Sequence, residues 1–156
     1  KFKLLILFYL FISLFFYYIY IQNYFTFFQF NLLIFTIVMF DSFSYFTGVL
    51  LGRKYIFKNI SPKKTLEGYL GGVIFTNFFL ILYIYINTSQ IDYKEALVLT
   101  NVFIILALLG DLFESFLKRK NNIKDSSNFI PGHGGFFDRF DSFIASIIFL
   151  TLFSSL

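Results

Sequence analysis

Cysteine and tryptophan are absent from this chain, methionine and histidine occur once each, and proline twice. Without cysteine there is neither a disulfide nor a thiolate metal site. With one histidine, His133, the remaining ligands for a cation are oxygens, which favours magnesium over zinc. Charge is also scarce. Only 14% of residues are charged, against 58% hydrophobic and 24% aromatic, and the mean hydropathy is +0.74. That balance excludes an ordinary soluble domain and predicts an integral membrane protein. The missing tryptophan, beside abundant Phe, Ile, Tyr, Asn and Lys, fits AT-rich coding as well as structure, so the apolar character of a position is informative and its identity is not.

A helical crossing needs roughly 20 apolar residues. Leu4 to Ile21, about Phe30 to Leu51, Tyr69 to Ile86, Ala96 to about Leu117, and Phe140 to the terminus each approach this, giving an expected all-α polytopic bundle of about five membrane-spanning helices. The last is short enough to require tilt or local thinning of the bilayer. A β-barrel would show period-two alternation, whereas these runs are apolar all round. No internal repeat, Pro-rich linker or second domain stands out, so residues 1–156 read as a single transmembrane domain. The first residue is Lys1 and not methionine, which points to a processed chain or the later part of a longer protein. A signal-peptide reading of Lys1 to Ile21 lacks an A-x-A cleavage site, and a spanning helix is preferred.

Lysine and arginine set the orientation. Lys1 and Lys3 precede the first span; Arg53, Lys54, Lys58, Lys63 and Lys64 follow the second; Lys118, Arg119, Lys120, Lys124 and Arg139 follow the fourth. Only Lys94 lies on the other side. The positive-inside rule makes the basic side cytoplasmic. A net charge of +4 concentrated there suits anionic headgroups and polyphosphates. Nucleic acid is not expected as a partner, because the cations are split over short loops at a membrane with no reader motif.

Four strings carry the polar chemistry. Asp41 interrupts an apolar run in DSFSYFTG, and an acid within a span is expected to face the bundle interior, a watery cavity, a metal or a base; the plainer alternative is a capped or hydrated helix end. Asp111, Glu114, Ser115 and Lys118 fall at i, i+3, i+4 and i+7 and share one helix stripe, fit either for metal and phosphate or for a solvated salt-bridge ladder. PGHGGFFDRFD follows, with Gly132, Gly134 and Gly135 able to approach an anion closely. Its Asp138 and Asp141 can point together at a cation or serve as helix N-terminal acids paired with Arg139. His133 fits a structural hydrogen bond or a substrate contact. Between the second and third spans lie GRK and SPKKTLEGYLGG, where Ser61 before Pro62 reads as the start of a helix and Lys63 and Lys64 sit near the headgroup layer. Gly68, Gly71 and Gly72 permit close helix packing.

In this order, from Asp41 to Ser142, the strings DSFSYFTG, GRK, SPKKTLEG, GDLFESFLKR, KD and PGHGGFFDRFDS resemble those of the phosphatidate cytidylyltransferases, also called CDP-diacylglycerol synthases. The last block is the most specific: Ser115, Lys118, Arg119, Lys124, Asp125, Pro131, His133, Gly134, Gly135, Asp138, Arg139 and Asp141 match that family's signature spacing. Members usually carry several more N-terminal helices than precede Asp41 here. The resemblance implies transfer of a cytidylyl group from CTP to phosphatidic acid, giving CDP-diacylglycerol and pyrophosphate, at a bacterial inner membrane with the active site toward the cytoplasm. It implies Mg2+, with K+ as a candidate second cation, held by Asp111, Asp138 and Asp141. Lys63, Lys64, Lys118, Arg119 and Arg139 would bind phosphates. Ser115, His133, Gly134 and Gly135 would shape the nucleotide site, and Asp41 would meet the lipid headgroup. A homodimer suits the small-residue helix faces. Competing expectations are a CTP-dependent enzyme for another lipid phosphate and a transporter whose intramembrane acids carry ions or protons.

Overall fold

The computed structural model describes residues 2–57, 60–86, 92–121, 123 and 137–155. Among the described residues the fold is all-α, with five helices and a two-stranded hairpin: α1 (Phe2–Ile19), α2 (Phe27–Leu51), β1 (Tyr55–Phe57), β2 (Ser61–Thr65), α3 (Leu66–Ile86), α4 (Tyr93–Lys120) and α5 (Phe137–Ser154). A π-helical turn, Tyr20–Tyr24, extends α1. Leu4–Tyr24, Phe27–Leu51, Leu66–Ile86 and Tyr93–Lys120 are long and apolar enough to cross a membrane. The apolar part of α5, Asp141–Ser154, is shorter. At 1.5 Å per residue it reaches about 21 Å, less than a hydrocarbon core of roughly 30 Å.

Surface composition agrees with a bilayer as solvent. Along α1, Leu4, Leu7, Phe8, Phe11, Leu14 and Phe15 form an outward stripe at helical spacing, each at least half exposed. In water such a patch would drive association; against lipid it costs nothing.

The chain divides into two compact units, Lys1–Gln29 with Leu106–Leu156, and Phe30–Ile105. In the first, α1 lies against α5. Ile6 and Ile144 are buried together, with Tyr9, Leu10 and Ile148 packed around them. Thr151 Oγ1 donates to the Phe16 carbonyl at 3.1 Å, and the Tyr17 and Phe143 rings meet edge-on at 6.4 Å.

In the second unit, α2 and α3 cross along small residues. Thr47 Oγ1 donates to the Gly68 carbonyl at 3.2 Å, and a Cβ on Gly68 would lie 2.8 Å from the Ser44 carbonyl oxygen. Ser44-x-x-x-Gly48 faces Gly68-x-x-x-Gly72, so the backbones approach as small-xxx-small pairs do in membranes. Above and below, Phe43 stacks between Phe75 and Phe79 at 5.0 and 5.2 Å. Asn77 and Asn101 exchange side-chain hydrogen bonds at 3.3 and 3.1 Å and tie α3 to α4. Gly72→Val is expected to destabilise this unit by about 1–3 kcal/mol, since a Cβ there would collide with Ser44 Oγ and meet Phe40 at 3.0 Å. Thermal unfolding in detergent checks it; an unchanged Tm would mean the crossing is looser.

The sequence places a helix start at Ser61, but Ser61–Thr65 is strand β2, antiparallel to β1 with Tyr55 opposite Thr65. The start moves to Leu66 because Thr65 caps the helix: its Oγ1 accepts from Gly68 N–H at 3.2 Å.

Candidate active site

Gly110 decides the local geometry. A Cβ at this position would lie 2.5 Å from the Asp141 carbonyl oxygen and 3.3 Å from Ala145 Cβ, so only glycine lets α5 pass α4 this closely. One turn earlier, the Ala107 carbonyl accepts from Ser142 Oγ at 3.2 Å, locking the crossing. Both contacts belong to the first unit. They put Asp141, in the second turn of α5, beside the acidic stripe of α4.

As a result, carboxylate oxygens of Asp111, Glu114 and Asp141 all lie within 4.8 Å of one another. Glu114 is 2% exposed and Asp141 9%. Three carboxylates this close and this buried repel one another unless cations or protons compensate. Part of the compensation is internal: Lys118 Nζ lies 3.2 Å from Glu114 Oε1. Ser115 Oγ donates to Asp111 Oδ1 at 3.3 Å, and the Ser142 N–H to Asp141 Oδ1 at 2.6 Å, which orients two of the three acids. The donor set is all oxygen, hard, and convergent. It can coordinate a divalent cation. From α1, Tyr9 reaches the same region, its ring 5.6 Å from that of Phe113.

Cationic residues close the stripe. Lys118, Arg119 and Lys120 occupy the last turn of α4, where the helix dipole favours positive charge. The Lys118 carbonyl accepts from the Asn121 and Ile123 N–H groups at 3.2 and 3.1 Å, which ends the helix there.

Of the residues expected from sequence, Asp111, Asp141, Ser115 and Lys118 come together in the first unit, with Arg119 exposed on the next position of α4. Asp138 and Arg139 fall in the first turn of α5, their side chains outside the described residues, as are His133, Gly134 and Gly135 altogether. In the second unit, Lys63 and Lys64 are on β2, Lys64 half-buried and the Lys63 side chain outside the described residues. Asp41 lies well inside α2, not at its end, and its side chain is exposed on a stripe with Val38, Ser42 and Tyr45. That sets aside the helix-end alternative, and an acid exposed within a span is accessible to a watery cavity, a metal or a base. Glu114 is the residue sequence reading passed over as a ligand. Its signal was present, one turn from Asp111 on the same stripe, but an acid four residues before a lysine reads equally well as a surface pair.

Fold and site define a polytopic membrane protein with a buried carboxylate cluster fit for a divalent cation. The model of the cytidylyltransferase family matches residues 1–156, and the chain belongs to that family. It is 42% identical to the phosphatidate cytidylyltransferase of Bacillus subtilis (strain 168) over 110 residues, 70% of this chain and 41% of that protein. The phosphatidate cytidylyltransferase of Aquifex aeolicus (strain VF5) is 42% identical over 113 residues, 72% of this chain and 42% of that protein. That of Thermotoga maritima is 40% identical over 119 residues, 72% of this chain and 44% of that protein. The chain thus spans about two fifths of the length of these curated relatives.

Proposed function

We propose that this protein transfers a cytidylyl group from CTP to phosphatidic acid in the membrane, forming CDP-diacylglycerol and releasing pyrophosphate. The convergence of Asp111, Glu114 and Asp141 carries the reading, because a magnesium–nucleotide complex is held by one or two carboxylates beside the substrate phosphates, and this cluster can supply them. The names of the similar proteins support the choice of substrates.

Phosphatidic acid brings its own nucleophile. Its phosphate monoester is already anionic, so a lipid oxygen attacks the α-phosphorus of CTP without a protein base. One P–O bond forms, the α–β bridging bond breaks, and the electron pair leaves on pyrophosphate. The remaining task is alignment and charge neutralisation. Asp111, Glu114 and Asp141, with Asp138, would hold Mg2+, and K+ would be a second cation. When bound, the metal neutralises charge on the triphosphate and its leaving group. Lys118, Arg119, Arg139, Lys63 and Lys64 bind phosphate oxygens, Arg residues by two-pronged contacts. Ser115 orients Asp111; His133, Gly134 and Gly135 shape the nucleotide loop; Asp41 meets the lipid headgroup. The strings from residue 41 to residue 142 serve this one reaction. The lysine and arginine asymmetry supports an active site facing the cytoplasm of a bacterial inner membrane.

The purified protein, given CTP, phosphatidic acid and Mg2+, is expected to form CDP-diacylglycerol. Chelation is expected to stop the reaction and added Mg2+ to restore it. Turnover undiminished by exhaustive chelation would remove the cation from the mechanism, and no product under any condition would remove the reaction.

A further inference from the structure

The hairpin between α2 and α3 is held by one carboxylate. Glu67 Oε2 accepts the N–H of Arg53 and the N–H of Lys54, each at 3.0 Å. The Lys54 carbonyl in turn accepts from Leu66 N–H at 2.8 Å, and Gly52 N–H donates to the Gly48 carbonyl at 3.0 Å. Gly52 has no room for a side chain, since a Cβ would lie 2.8 Å from Thr65 Oγ1. The chain therefore leaves α2, bends under Thr65, and is fastened to the first turn of α3 at two consecutive amides.

Two N–H groups on one charged oxygen are stronger and more directional than neutral bonds, and they fix the backbone of the pair. What projects from that backbone is cationic. Arg53 and Lys54 are both exposed, and Lys64 lies on the partner strand. Tyr55 and Ile56, 51% and 37% exposed, follow directly. Because α2 and α3 both span the membrane, this basic hairpin sits at the headgroup level, where phosphate oxyanions are concentrated.

We propose that Glu67 is a positioning residue for substrate phosphate: by clamping the amides of Arg53 and Lys54 it holds their side chains as a phosphate clamp at the membrane surface. This rests on the phosphate-transfer reading above. The same chemistry is offered by the lipid phosphate monoester and by the nucleotide triphosphate. An ordinary acid in the first turn of α3, favoured only by the helix dipole, would leave the hairpin and its ligand unaffected.

The test uses the whole chain in nanodiscs. Dissociation constants are measured for phosphatidic acid and for CTP with Mg2+, alongside kcat and amide exchange of Arg53 and Lys54. Glu67→Ala is expected to weaken binding of one ligand about ten-fold and leave kcat within about three-fold, while exchange at the two amides rises at least about ten-fold. Glu67→Gln keeps an acceptor oxygen without the charge and is expected to recover most of the affinity, to within about three-fold of the parent. In an Arg53→Ala/Lys54→Ala background, Glu67→Ala is expected to add less than about two-fold. Weaker phosphatidic acid binding identifies the lipid as the ligand, and weaker CTP binding the nucleotide. Unchanged affinity for both, a full effect persisting in the double-alanine background, or unaltered exchange at the amides overturns the proposal. Binding and exchange need no turnover, so a protein that binds as expected but makes no CDP-diacylglycerol would sink the proposed reaction and leave Glu67's role standing.

Discussion

Replacing Asp141 with asparagine is expected to reduce CDP-diacylglycerol formation by at least about 10³-fold while leaving the protein folded. Asparagine has the same size and retains an oxygen to accept from Ser142 N–H, so the local hydrogen bond at 2.6 Å survives. What is lost is one negative charge from a group of three within 4.8 Å. A bound metal supplies several kcal/mol of charge stabilisation, and each 1.36 kcal/mol is ten-fold in rate. Without metal the substitution relieves repulsion among buried carboxylates, so the metal-free Tm should hold or rise. Mg2+ stabilises only the form that binds it, so the parent's Tm should climb with Mg2+ and the variant's should not. Asp111→Asn is expected to behave alike. An Asp141→Asn protein with normal turnover, or with a full magnesium-induced Tm increase, would take Asp141 out of the cation site.

Much of this was legible in the residues, and the reasons differ by level. Spans could be read because apolar runs need no partner to be recognised, and α1 to α4 appear where hydropathy puts them, with ends moved by up to three residues. Those shifts have local causes. Thr65 caps α3 only because the chain behind it pairs as β1–β2, a tertiary fact that Pro62 and Ser61 do not announce. At the site, the i, i+3, i+4, i+7 stripe on α4 was visible as geometry within a helix. Which of its acids turns inward was not, because that depends on where α5 crosses. Gly110, whose lack of a side chain permits the crossing, carries no signal by itself among the nine glycines. Asp41 illustrates the converse: the cost of an acid in a span argues for a polar partner, but its place on α2 does not name which one.

Gly110→Val is expected to cost at least about 10²-fold in turnover without touching a carboxylate. Its Cβ would meet backbone, with the Asp141 carbonyl oxygen at 2.5 Å and the Asp141 carbonyl carbon at 3.1 Å, and a backbone cannot swing aside as a side-chain tip does. Overpacking of this kind costs about 1–3 kcal/mol when the helices shift to relieve it. Relief means α5 moving off α4, which stretches the Ser142–Ala107 bond and carries Asp141 away from Asp111 and Glu114. A displacement near 1 Å in a reacting array is enough for about a 10²-fold loss of rate. Turnover should therefore fall by at least that factor, with a lower Tm and a weaker magnesium-induced rise. Gly72→Val, which overpacks the second unit, supplies the contrast: it lowers Tm by a similar amount but leaves the magnesium-induced rise intact. If both variants lose the magnesium response equally, loss of general packing is the cause. If Gly110→Val keeps it, the α4–α5 contact does not set the carboxylate spacing.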